Sequence, residues 1–78
     1  MTSIYDVINL YGFTFTNERE IYDPSRVIEP KMWQSYEHPD LAISIDVTSI
    51  NEYFIYTEWG ITSINDLLEY WLDDTYKV

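Results

Sequence analysis

Residues 41–58 read LAISIDVTSINEYFIYTE. In the first half, Leu41, Ile43, Ile45 and Val47 alternate with Ala42, Ser44, Asp46 and Thr48. A period of two is that of a strand with one buried face. Ser49 to Asn51 supplies a turn, and Glu52 to Glu58 is rich in the aromatic and β-branched residues that suit strands. The stretch therefore predicts an antiparallel hairpin, ended by Trp59 and Gly60. Its register decides what the protein shows to solvent, because a one-residue slip exchanges the faces. With Phe54 and Tyr56 inward, Glu52 and Glu58 share their parity and sit at the hairpin ends. With Phe54 and Tyr56 outward, an acidic and aromatic surface results. That surface suits arginine, which pairs with carboxylates and stacks on rings.

Helices flank the hairpin. Ile4, Val7, Ile8 and Tyr11 repeat at the spacing of one buried helix face, with Ser3 as cap, Asp6 three residues on, and Gly12 as a stop. "FTFT" follows, with Phe13 and Phe15 on one face of a strand. Residues 17–40 are punctuated by Pro24, Pro30 and Pro39 and mix Arg19, Arg26 and Lys31 with acids. They predict loops with one short strand around Met32 to Tyr36, then a turn at "EHPD" in which His38 is solvated. Near the end, Thr62 or Ser63 can cap a helix whose buried stripe is Ile64, Leu67, Leu68, Trp71 and Leu72. "LLEYWLDD", residues 67–74, reads as the last turns of that helix, and it closes on two aspartates where the helix end is already negative. The expected fold class is α+β: an N-terminal helix, a small antiparallel sheet of about three strands and a C-terminal amphipathic helix. Residues 1–78 form a single acidic domain.

Composition narrows the function. Fourteen acids face four bases, for a net charge of −10 in 78 residues. Residues 32–78 hold nine of those acids and one base, Lys77. Such a surface repels nucleic acid and anionic membrane and attracts basic partners. Apolar residues reach 46% and aromatics 18%, so the chain has the means to fold. Cysteine is absent, which removes thiolate chemistry and fits a reducing cytoplasm. No signal peptide or run long enough to span a bilayer is apparent. His38 is the sole histidine, and two glycines cannot build a phosphate-cradling loop. No zinc or calcium ligand spacing occurs. The reading is a non-enzyme with no cofactor and no metal.

What remains is a constellation of carboxylates. On a continuous helix, Asp66, Glu69 and Asp73 would form a column with steps of about 4.5 and 6 Å. Each DNA strand carries a phosphate every 3.4 Å or so of axis, about the reach of flexible side chains from such a column. Asp74 and the strand carboxylates Asp46, Glu52 and Glu58 would extend the surface. These seven are the candidate partner-binding residues. A solvated helix face ordinarily mixes both signs, yet no lysine or arginine occurs between Lys31 and Lys77.

In size, charge and element order the chain resembles the small acidic proteins that phages and mobile elements use against host defence. These include the nucleic-acid mimics that block restriction enzymes, uracil-DNA glycosylase or CRISPR effectors. The helix–strands–helix order is similar to that of some anti-CRISPR proteins that occupy the motif-reading site of Cas9-type nucleases. The resemblance implies a stoichiometric inhibitor acting in the cytoplasm of a bacterial host. Its partner would be a basic nucleic-acid-binding protein, a Cas nuclease or another nuclease, with room for a second copy of the chain. An antitoxin or immunity protein masking a nuclease toxin is the first alternative, and an acidic structural or adaptor domain the second.

Overall fold

The computed structural model describes residues 2–21 and 31–78, with the backbone alone at Ile21. Helix α1, Ile4–Leu10, is followed by strands β1 (Thr14–Ile21), β2 (Lys31–Glu37), β3 (Ser44–Ser49), β4 (Glu52–Thr57) and β5 (Gly60–Thr62). Helix α2, Ile64–Tyr70, and a 3-10 turn, Asp74–Tyr76, complete the chain. The strands pair with their sequence neighbours, all antiparallel, in one sheet ordered β1-β2-β3-β4-β5. The class is α+β, with five strands rather than about three.

Two strands outrun the sequence pattern, for different reasons. The strand expected at "FTFT" opens β1, but β1 continues through Asn17, Glu18, Arg19 and Glu20, all exposed, where no apolar alternation marks it and loop is expected. β5 is three residues long, too short to show a period. The turn before it carries no positive φ at Glu58 or Trp59 and closes on Gly60 at φ 110°, a conformation only glycine adopts without strain. The part of the expected 17–40 loop that falls on residues 22–30 lies outside the described residues.

Paired residues share a face of the sheet, so the register sorts the side chains. Tyr36 lies opposite Ile45, Ile45 opposite Ile55 and Val47 opposite Tyr53. Ile45, Val47 and Ile55 are fully buried, and they pack in one cluster with Ile4, Val7, Ile8 and Tyr11 from the α1 segment and Leu67 and Leu72 from the α2 segment. Both helices therefore cover this inner face. The expected stripe of α2 is borne out at Leu67 and Leu72, while Ile64, Leu68 and Trp71 are partly buried at its edges.

The ends of α1 show why so short a helix holds. Ser3 Oγ accepts from the Asp6 N–H at 3.2 Å, and Asp6 Oδ2 accepts from the Ser3 N–H at 3.0 Å, a complete capping box. The Ser3 N–H, and then its hydroxyl, holds the Asp6 carboxyl below its ordinary 3.8. A carboxyl lowered in the folded state contributes stability above its unfolded value and loses it as pH falls through the folded one. Asp6→Asn is accordingly expected to melt below the parent protein at neutral pH. The gap should close as pH drops under 3.8, which paired melting curves would check.

Candidate protein-binding face

The face turned away from the helices is built by the other parity. Ser35 lies opposite Asp46 and Asp46 opposite Phe54; Glu37 lies opposite Ser44, Ser44 opposite Tyr56 and Tyr56 opposite Ile61. Phe54 and Tyr56 thus point outward, 43% and 37% exposed, with Ile61 at 66% beside Tyr56, while Trp59 in the β4–β5 turn is 80% exposed. The acidic and aromatic arrangement is the one the register selects. Trp33 stands on the same face but is buried, its ring stacked on Phe54 with centroids 5.7 Å apart.

β1 brings a cation to this face through a bulge. Between Phe15 and Asn17 the pairing with β2 slips by one residue, and Thr16 Oγ1 donates to the Ser35 carbonyl at 3.1 Å. An extra residue exchanges the faces downstream. Phe15 lies opposite inward Tyr36, yet Arg19 lies opposite outward Trp33. Arg19 Nη2 then donates to Asp46 Oδ2 at 2.7 Å, and Ser35 Oγ donates to Asp46 Oδ1 at 2.7 Å.

The seven candidate carboxylates do not form one surface. Asp46 has both oxygens engaged and its side chain is 13% exposed, so it is a structural anion of the sheet. Glu52, also on the sheet, is bonded to Lys31. Glu58 is exposed in the β4–β5 turn. Asp66 and Glu69 are exposed on α2, which packs on the opposite side of the sheet. Asp73 and Asp74 require a correction. α2 ends at Tyr70 with Trp71 as its cap, so the column of Asp66, Glu69 and Asp73 on one helix does not exist. Asp73 is instead the N-cap of the 3-10 turn, its Oδ1 accepting from the Thr75 N–H at 2.9 Å, and Asp74 lies in that turn's first residues. Helix starts favour acids, which resolves the apparent repulsion of "LLEYWLDD" without a partner. Asp74 also pairs with Lys77 at 3.0 Å, which raises the lysine's pKa.

His38 is a second correction. It is buried, not solvated. Its Nδ1 accepts from the Asp40 and Leu41 N–H groups, each at 3.1 Å, so the ring proton of the neutral form sits on Nε2. Phe13 and Tyr76 meet the ring edge-to-face at 5.2 and 5.4 Å. The histidine is a splint for the β2–β3 loop. Among the described residues, no group of three His, Asp or Glu is placed to hold a metal ion.

The residues that sequence reasoning passed over are Glu37, Ser44, Ile61 and Trp59. Only strand pairing reveals that Glu37 and Tyr56 flank Ser44, since they are 19 residues apart in the chain. The sequence matches no known protein family, and neither a curated protein nor a solved structure is significantly similar to the chain. No helix among the described residues is long and apolar enough to cross a membrane.

Proposed function

We propose that the chain is a stoichiometric protein inhibitor of anti-CRISPR type, acting in the cytoplasm of a bacterial host. It would bind a basic, nucleic-acid-binding surface of a CRISPR effector nuclease and keep DNA away by presenting carboxylates where the effector expects phosphate. The observation that carries this reading is the deficit of cations. The described cations Arg19, Lys31 and Lys77 are all engaged by the chain's own Asp46, Glu52 and Asp74. Glu37, Glu58, Asp66 and Glu69 are left exposed with no described cation in ion-pair range. A negative field of this size speeds encounter with a basic surface and is screened by salt. The same feature serves the antitoxin reading, in which the masked surface belongs to a nuclease toxin.

The experiment is affinity capture from a bacterial host lysate, followed by elution with duplex DNA. The expected result is a retained nuclease that DNA displaces, with retention weakening as salt rises. A retained protein that binds no nucleic acid, or one that DNA cannot displace, would remove the mimicry mechanism. A CRISPR effector in the eluate favours the first reading, and a toxin nuclease favours the second.

A further inference from the structure

Among the described residues, the outward sheet face holds one guanidinium, that of Arg19, and one row further on a carboxylate, a hydroxyl and a ring stand side by side. Arg19 Nη2 donates to Asp46 Oδ2 at 2.7 Å, Ser35 Oγ donates to the same carboxylate, and Trp33 lies opposite Arg19 in the β1–β2 pairing. In the next row the order across the sheet is Glu37, Ser44, Tyr56 and Ile61. Adjacent strands lie about 4.8 Å apart, so Glu37 and Tyr56 straddle the small Ser44 side chain like two walls. Glu37 is exposed, with no described cation in ion-pair range. A shallow cavity of about 290 Å³ opens beside Glu37 and Ser44, lined otherwise by His38, Leu41, Ala42 and Ile43 of the β2–β3 loop, with Tyr56 outside it on the far side of Ser44. That volume is at the low end for ligand sites and suits a single inserted side chain rather than a cofactor.

The geometry points to this notch as the docking position for an arginine on a basic segment of the partner protein. The guanidinium would lie over Ser44, paired with Glu37 on one side and against the Tyr56 ring on the other, with Ile61 and Trp59 covering its apolar stem. Arginine fits better than lysine because its planar fork can take a carboxylate bidentately while its flat face meets a ring. Lysine offers the charge alone. The splint formed by His38 fixes the loop that lines the cavity, so the notch is set before the partner arrives. This inference rests on the proposed binding to a basic protein and names the element of that protein which the chain recognises.

The test is titration calorimetry of the full chain with nona-arginine and with nona-lysine, at two salt concentrations. The expected result is that nona-arginine binds about three- to tenfold more tightly. Glu37→Gln and Tyr56→Leu should each bring the two affinities close to equality. Glu20→Gln, the same loss of charge on the edge strand, should lower both affinities slightly and leave their ratio unchanged. Both altered side chains are exposed, so the variants are expected to fold, and a melting curve confirms it. Should Tyr56→Leu unfold, Glu37→Gln alone decides. Equal affinities in the parent protein, or a ratio that neither variant alters, would overturn the assignment. The inhibitor reading fails separately: a preference for nona-arginine at this notch, together with a captured protein that DNA cannot displace, would keep the notch and discard the nuclease.

Discussion

Ile55→Asn is expected to leave the chain largely unfolded, whereas Tyr56→Asn, one residue on, is expected to cost less than about 1 kcal/mol. Ile55 is fully buried between Ile45 and the β5 strand, in the cluster that both helices cover. Asparagine there loses the apolar contacts of isoleucine, worth about 2–5 kcal/mol in truncations to alanine. It also buries an amide with no partner, at a further 1–3 kcal/mol or so. A domain of this length has roughly 4–12 kcal/mol in total, so the two losses together remove most of the stability of a domain in the lower half of that range. Tyr56 stands on the other face, open to solvent. Urea melts of both variants check the strand register that turns Ile55 to the core and Tyr56 to the candidate face. Similar losses at the two positions would mean that the faces are assigned wrongly.

His38→Ala is expected to destabilise the protein by about 2–4 kcal/mol. Four contacts disappear together. The Asp40 and Leu41 N–H groups lose their shared acceptor, and Phe13 and Tyr76 lose the ring that joins them. Phe13 leads into β1 and Tyr76 lies in the 3-10 turn, so the imidazole ties three segments distant in sequence. His38→Asn is the informative companion. It restores an acceptor in the loop but not the ring, and should recover about half of the loss. A denaturant midpoint that is unchanged in His38→Ala would return the residue to the solvated turn that its neighbours Glu37, Pro39 and Asp40 suggest.

How far the sequence could be read depended on what each pattern reports. The inner stripes of α1 and α2 and the alternation of Ile43, Ile45 and Val47 are apolar periods, and the core follows them. That reading overran at one place. The α2 stripe continues in register to Leu72, which is buried, and so the helix seemed to reach Asp73 and Asp74. Burial of Leu72 says that the chain returns to the core, not that it does so as a helix. The Leu67 carbonyl accepts from both the Trp71 and Leu72 N–H groups at 3.0 and 2.9 Å, which ends the α-helical ladder. A serine or aspartate after a helical stripe can start a new turn as readily as it can burden the old one. Beyond "FTFT", β1 carries no apolar period because it is exposed on both faces, and β5 is too short to show one. The binding face was half legible. The parity of Phe54 and Tyr56 is in the sequence, but the partner strand that sets Glu37 and Ser44 beside them is not. Nor could charge counting tell that Asp46 and Glu52 are held by Arg19 and Lys31, since the pairs span 27 and 21 residues.

The outward sheet face, rather than the acidic side of α2, is the surface proposed to receive the basic partner. The most direct test of that assignment is a map of backbone amide shifts in isotope-labelled protein titrated with nona-arginine. The largest changes are expected at Glu37, Ser44, Tyr56 and Ile61, with small and uniform changes along Ile64–Tyr70. Changes centred on Asp66 and Glu69 that leave the sheet face still would contradict it.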